Sequence, residues 1–182
     1  MAYSIALLRA INLAGYQRVS MTDLRVFFAR LGFADALTLL QTGNVIFESD
    51  GRSSADLERL LEAKSARRLE LPTDYFVRSA AELSRAIARN PFPAEAKSDP
   101  SHLLMVFLKA APKKDAVDAL RAAITGRERV EVEGKQAYIT YPDGIGRSKL
   151  TNVLIERKLG TRGTARNWNT VLKLAALAGN SV

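Results

Sequence analysis

The residues best suited to hold an anion lie in Asp143-Gly144-Ile145-Gly146-Arg147-Ser148-Lys149, where two glycines lead toward an expected helix start flanked by two cations. Free amide hydrogens and a helix dipole favour negative charge at such a place, so Gly146, Arg147, Ser148 and Lys149 are candidate ligands. The Gly-x4-Gly-Lys spacing of a phosphate loop and the dinucleotide fingerprint are both absent. Ser148 acting as a helix cap beside solvated cations accounts for the same residues. Arg166-Asn167-Trp168 holds the sole tryptophan. Arg166 and Trp168 suit stacking on a ring or base, or else Trp168 is core and Asn167 an N-cap. In the segment Arg9 to Gly15, Arg9 is expected on a strand face shared with Ile5, Leu7 and Ile11, where a guanidinium needs either an internal carboxylate or a bound anion. Asn12 follows it. Gln41-Thr42-Gly43-Asn44 reads as a tight turn, and Gln41 and Asn44 also offer donors and acceptors to a polar ligand.

Other chemistry is poorly supplied. The chain has no cysteine and one histidine, His102. Thiolate sites, disulfides and a histidine metal cluster are excluded, and no cofactor is expected. Nothing near a Gly-x-Ser-x-Gly elbow supports a serine nucleophile. Glu131 and Glu133 share an expected strand face and read as a solvated edge. The net charge is +8 over 182 residues. Residues 1–90 carry 12 basic and 10 acidic groups, residues 91–144 carry 8 of each, and residues 145–182 carry 7 basic groups against Glu156 alone. The positive excess therefore sits in the last segment, where it favours anionic partners or simply a solvated surface. No apolar run reaches the ~20 residues of a membrane span, and Arg9 interrupts the first one short of signal-peptide length. A cytoplasmic protein without a membrane partner is expected.

The elements that must position these groups are legible from caps and periodicity. Ser20 with Asp23, Ser53 with Asp56 and Ser79 with Glu82 each form a capping box before an apolar stripe. Pro112 opens a fourth helix, Arg147 to Leu159 should form a fifth with Leu150, Val153 and Leu154 inward, and a sixth follows Asn167. Strands are expected over 3–11, 36–41, 45–48 and 73–78, then over 102–108, 129–133, 137–141 and 161–166. Each half reads strand, helix, strand, strand, helix, strand, helix. That order predicts an α+β protein of two tandem ferredoxin-like (β-α-β-β-α-β) units with antiparallel sheets. Residues 1–90 form the first unit with its trailing helix, 91–100 the linker, and 101–182 the second unit with a C-terminal helix.

Four stretches resemble one family, the domain of unknown function 1697. They are Leu7-Leu8-Arg9-Ala10-Ile11-Asn12-Leu13-Ala14-Gly15, then Leu40 to Phe47, then His102 with Val106-Phe107-Leu108, and finally Tyr138 through Lys149-Leu150 with Thr164 to Val171. Ala10 and Ala14 stand where that family usually has glycine. The resemblance implies the two-unit fold and no activity.

The residues suit a binding module for a small phosphorylated or carboxylated ligand in a cleft between the units. Two alternatives stay open: a nucleic-acid binder, for which the aromatic-rich strand motifs of RNA-recognition plaits are missing, and an enzyme acting on a phosphorylated substrate through electrostatics. Oligomeric state is not readable.

Overall fold

Side-chain oxygens start the helices where the capping boxes lie. Ser20 Oγ accepts from the Asp23 N–H at 2.9 Å and opens α1 (Met21–Arg30). Ser53 Oγ accepts from the Asp56 N–H at 3.1 Å and opens α2 (Ser54–Arg68). The computed structural model describes residues 2–13 and 18–179. They form an α+β protein with two four-stranded antiparallel sheets. The chain divides into two units, Met1–Arg85 with Lys173–Val182, and Ala86–Leu172. No described helix is long and apolar enough to cross a membrane.

In the first unit the sheet runs β2 (Leu37–Leu39), β3 (Asn44–Ser49), β1 (Ala2–Leu8), β4 (Tyr75–Ser79). Ala6 and Leu8 of the central strand join Phe47 and Val77 in a core with Leu24 and Phe28 of α1 and Leu57 and Leu61 of α2. The opposite face is buried too: Ile5 and Leu7 are at most 2% exposed, which is why β1 reads apolar on both faces. The outer edge of β4 is closed by α2 rather than by another strand. Glu58 Oε1 accepts from the Val77 N–H at 2.8 Å, and Glu62 Oε1, one turn on, from the Tyr75 N–H at 3.0 Å. Two carboxylates at helical spacing thereby satisfy the alternate amides of an edge strand. Arg78 donates to Glu58 at 3.3 Å, and its burial, opposed by that carboxylate, lowers the guanidinium pKa.

The second unit repeats the order as β6 (Arg129–Glu133), β7 (Gln136–Thr140), β5 (Leu103–Leu108), β8 (Gly163–Asn167). Val117 and Leu120 of α5 (Lys114–Ala122) and Ile155 and Leu159 of α6 (Asn152–Leu159) cover one face. Glu156 Oε1 of α6 accepts from the Gly163 N–H at 3.0 Å, the same edge-closing device seen in the first unit. Helices α3 (Ala80–Ala88) and α7 (Trp168–Gly179) follow β4 and β8 directly.

Two expectations differ from the structure. Residues 91–100, read as a linker, carry the short helix α4 (Pro93–Ser98), because a proline in its first turn is already set for helical backbone. Arg129 pairs with Glu95 of α4 and lies 4.8 Å over the Phe92 ring, fastening this segment to β6. The fifth helix starts at Asn152, not Arg147. Thr151 is its N-cap, accepting from the Leu154 N–H at 3.3 Å, and Val153 is 71% exposed instead of buried. The last turn before it, Ile145–Arg147, is a single 3-10 turn ending in extended Ser148.

The third capping box is reciprocal: Ser79 N–H donates to Glu82 Oε2 at 2.7 Å, and Glu82 N–H donates to Ser79 Oγ at 3.1 Å. Burial pulls the Glu82 pKa up, but the hydrogen bonds from Ser79 and Ser54 and the nearby Arg78 outweigh it, and the net shift is downward from 4.5. A depressed carboxylate stabilises the fold above its unfolded pKa, and that contribution is lost as pH falls through the folded pKa. Denaturant titrations from about pH 7 to about pH 3 will show Glu82→Gln less stable than wild type near neutrality, with the gap closing in acid. A gap that persists unchanged in acid contradicts this role.

Candidate functional site

Three of the four candidates in the first unit, Asn12, Gln41 and Asn44, lie at one corner of its sheet. Asn12 Nδ2 donates to the Val19 carbonyl at 2.9 Å and the Gln41 carbonyl at 2.8 Å, while Oδ1 accepts from the Val19 N–H at 2.9 Å. The side chain thus joins the loop after β1 to the turn before β3. Asn44 is fully buried and donates to the Leu39 carbonyl at 2.7 Å and to Thr42 Oγ1 at 3.1 Å, so its amide shapes the turn. Gln41 contributes its backbone carbonyl. Arg9 lies beyond the end of β1 instead of on its face: its N–H donates to the Asp74 carbonyl at 3.0 Å, and its carbonyl accepts from Thr73 Oγ1 at 2.6 Å. Ala14 and Gly15 lie outside the described residues.

Gly43 is required by space as well as by its φ of +79°. A Cβ there would stand 2.6 Å from Ile11 Cδ1 and 2.9 Å from Leu8 Cβ. Ala10, Asn12 and Leu40 also have positive φ, of 49°, 54° and 61°. Asparagine tolerates this conformation, whereas alanine and leucine are strained by it.

In the second unit the candidates are spent internally or dispersed. Arg166 is 9% exposed and donates to Thr164 Oγ1 at 2.9 Å and the Ala165 carbonyl at 2.8 Å; burial pushes its pKa down to about 10. Asn167 Oδ1 caps α7 by accepting from the Thr170 N–H at 3.0 Å, and Trp168 is 4% exposed. Ser148 Oγ donates to Glu128 and accepts from the Leu150 N–H at 3.0 Å. The Gly144 and Ser148 amides donate to nearby carbonyls, and the helix whose dipole was expected at this stretch starts only after Thr151. Gly146 has a negative φ and open space around it, so no glycine is needed there. Arg147 and Lys149 stay exposed, and Arg127 holds the Asp143 carboxyl below its usual range. Glu131 and Glu133 pair with Arg121 and Arg89.

The first unit also has a concavity that composition did not signal. A groove of about 740 Å³ lies between α1 and the C-terminal end of α2, and four arginines line it: Arg18, Arg30, Arg67 and Arg68. Asp23, Val26, Phe27 and Arg30 share one face of α1 at i, i+3, i+4 and i+7, and Asn12, Val19 and Glu70 complete the wall. None of the four guanidiniums is within ion-pair distance of a carboxylate among the described residues. Glu70, at φ +49°, is the fourth residue other than glycine with positive φ among the described residues. The available signals were the tandem Arg67-Arg68 at a helix end and the α1 stripe.

His102 gives no nucleophile–base pair. Its Nδ1 lies 2.9 Å from Asp99 Oδ2, and Ser101 Oγ reaches the same carboxylate rather than the imidazole. Among the described residues no group of three His, Asp or Glu is placed to hold a metal ion.

A family model described as "Protein of unknown function (DUF1697)" matches residues 1–138. A solved structure, that of the conserved bacterial protein SP0830 from Streptococcus pneumoniae, superposes with a TM-score of 0.76 at 21% identity, covering 97% of this chain and 98% of the other. That likeness shows the fold alone. No curated protein matches this chain.

The two glycines separate packing from ligand roles. Gly43→Ala is expected to destabilise the protein by about 1–3 kcal/mol, through backbone strain and contact with Ile11 and Leu8. Gly146→Ala should change stability by less than about 0.5 kcal/mol. Urea denaturation measures both, and equal effects would contradict the assignment.

Proposed function

The chain belongs to the DUF1697 family, whose members share no known activity, and from its own geometry we propose that it is a binding module for a small anionic ligand held in the arginine-lined groove of the first unit. The observation that carries this is four guanidiniums around one concavity, none with a carboxylate partner among the described residues. Arg30, Arg67 and Arg68 sit in the last turns of their helices, where cations gain about 0.3–1 kcal/mol from the dipole. That explanation does not extend to Arg18, which precedes α1 at the end where a cation is disfavoured. An anion relieves the mutual repulsion of all four and makes charge-assisted hydrogen bonds with the guanidinium forks. The groove's size falls within the range of small-molecule sites. Backbone strain at Glu70, on the groove's wall, adds support, since strain collects at ligand sites.

The same element order and the strand order 4-1-3-2 in each half support reading both units as ferredoxin-like, in tandem. Nucleic-acid binding through the sheets is less well supported. Ile5 and Leu7 in one central strand and Met105 and Phe107 in the other are at most 2% exposed, so these positions offer no stacking platform.

Thermal-shift measurements at low salt test the proposal. A phosphate-bearing ligand at about 100 times its dissociation constant adds about 2.7 kcal/mol and raises Tm by several degrees. Arg18→Ala with Arg67→Ala should abolish the shift, while Arg147→Ala with Lys149→Ala should leave it intact. The opposite pattern, or no shift with any anion, would overturn the proposal.

A further inference from the structure

Resting on the groove as an anion site, we infer that its ligand is a phosphomonoester carrying several hydroxyls, that is, a sugar or polyol phosphate. Charge sets the number of phosphoryl groups. Four guanidiniums face two carboxylates, Asp23 and Glu70, which leaves the lining at a net +2. A phosphomonoester carries about −1.5 to −2 at neutral pH, so one such group neutralises the groove. Pyrophosphate or a nucleic-acid strand brings more negative charge than the lining balances, and a simple carboxylate brings less.

The carboxylates define the rest of the ligand. An ionised carboxylate only accepts hydrogen bonds, and it repels a second anionic group. What it can hold is a hydrogen-bond donor, and a neutral one such as a hydroxyl keeps the charge balance with a single phosphoryl group. Asp23 takes one hydrogen bond from Ser20 Oγ at 2.7 Å, which leaves most of its acceptor capacity for a ligand, and Glu70 has no partner among the described residues. Among the described residues the sole aromatic of the lining is Phe27, which is 2% exposed and offers no ring face on which a base could stack. Arginines for the phosphate, carboxylates for hydroxyls and no exposed aromatic ring among the described lining residues together describe a hydroxylated phosphate ester better than a nucleotide.

Isothermal titration calorimetry at low ionic strength, with glucose 6-phosphate, inorganic phosphate, glucose, pyrophosphate and adenosine monophosphate as probes, tests this. Glucose 6-phosphate is expected to bind about tenfold tighter than inorganic phosphate, and tighter than pyrophosphate or the nucleotide, with glucose undetectable. Glu70→Gln should shrink the advantage of glucose 6-phosphate while leaving inorganic phosphate as tight or tighter. Arg67→Ala with Arg68→Ala should remove both. Equal binding of glucose 6-phosphate and inorganic phosphate, or preference for pyrophosphate or the nucleotide, would overturn the inference and leave the anion site standing. No heat with any phosphate would overturn the anion site as well.

Discussion

One amide side chain ties together the part of the first unit on which its groove depends. Asn12 spends both Nδ2 hydrogens and its Oδ1 on backbone groups seven and twenty-nine residues away. It can do so because Gly43 lets the turn approach Leu8 and Ile11 to a distance no side chain would allow. This contact sets where the chain re-enters at Arg18 and Val19, and so where one wall of the groove stands. Its cost is visible in the neighbouring backbone: Ala10 and Leu40 take left-handed conformations that neither residue favours. Such strain persists only where surrounding bonds over-determine it.

Most of the architecture was legible in the sequence because the local signals agree with the fold. Ser20, Ser53 and Ser79 cap their helices in the structure as their spacing to Asp23, Asp56 and Glu82 predicts. The helix expected at Arg147 failed because Ser148 gives its hydroxyl to Glu128 and the Leu150 amide, leaving Thr151 as the cap. Periodicity could not distinguish these two serine or threonine starts three residues apart. The role of Glu58 and Glu62 was equally hidden, since carboxylates on a helix look solvated until a strand edge lies beside them.

The arginine-lined groove was not legible in the sequence, for an electrostatic reason. Counting charge along the chain put the excess in residues 145–182, yet Arg166 there is buried, and residues 1–90 are nearly balanced. Acids such as Asp56 and Glu58 pair with Arg59 and Arg78, while Arg18, Arg30, Arg67 and Arg68 gather on one concavity. Net charge by segment does not show which cations are already answered. Ala10, which stands where the resembling stretch of the family usually has glycine, takes a φ of +49°, a conformation glycine adopts without strain.

The most direct measurement of the central claim is a phosphate titration followed by NMR of the arginine Nε–H groups and the backbone amides. The account predicts saturable shifts at Arg18, Arg30, Arg67 and Arg68, with Arg147 and the amides around Lys149 unmoved. Shifts confined to Arg147 and Lys149, or uniform and non-saturating across all exposed arginines, would contradict it.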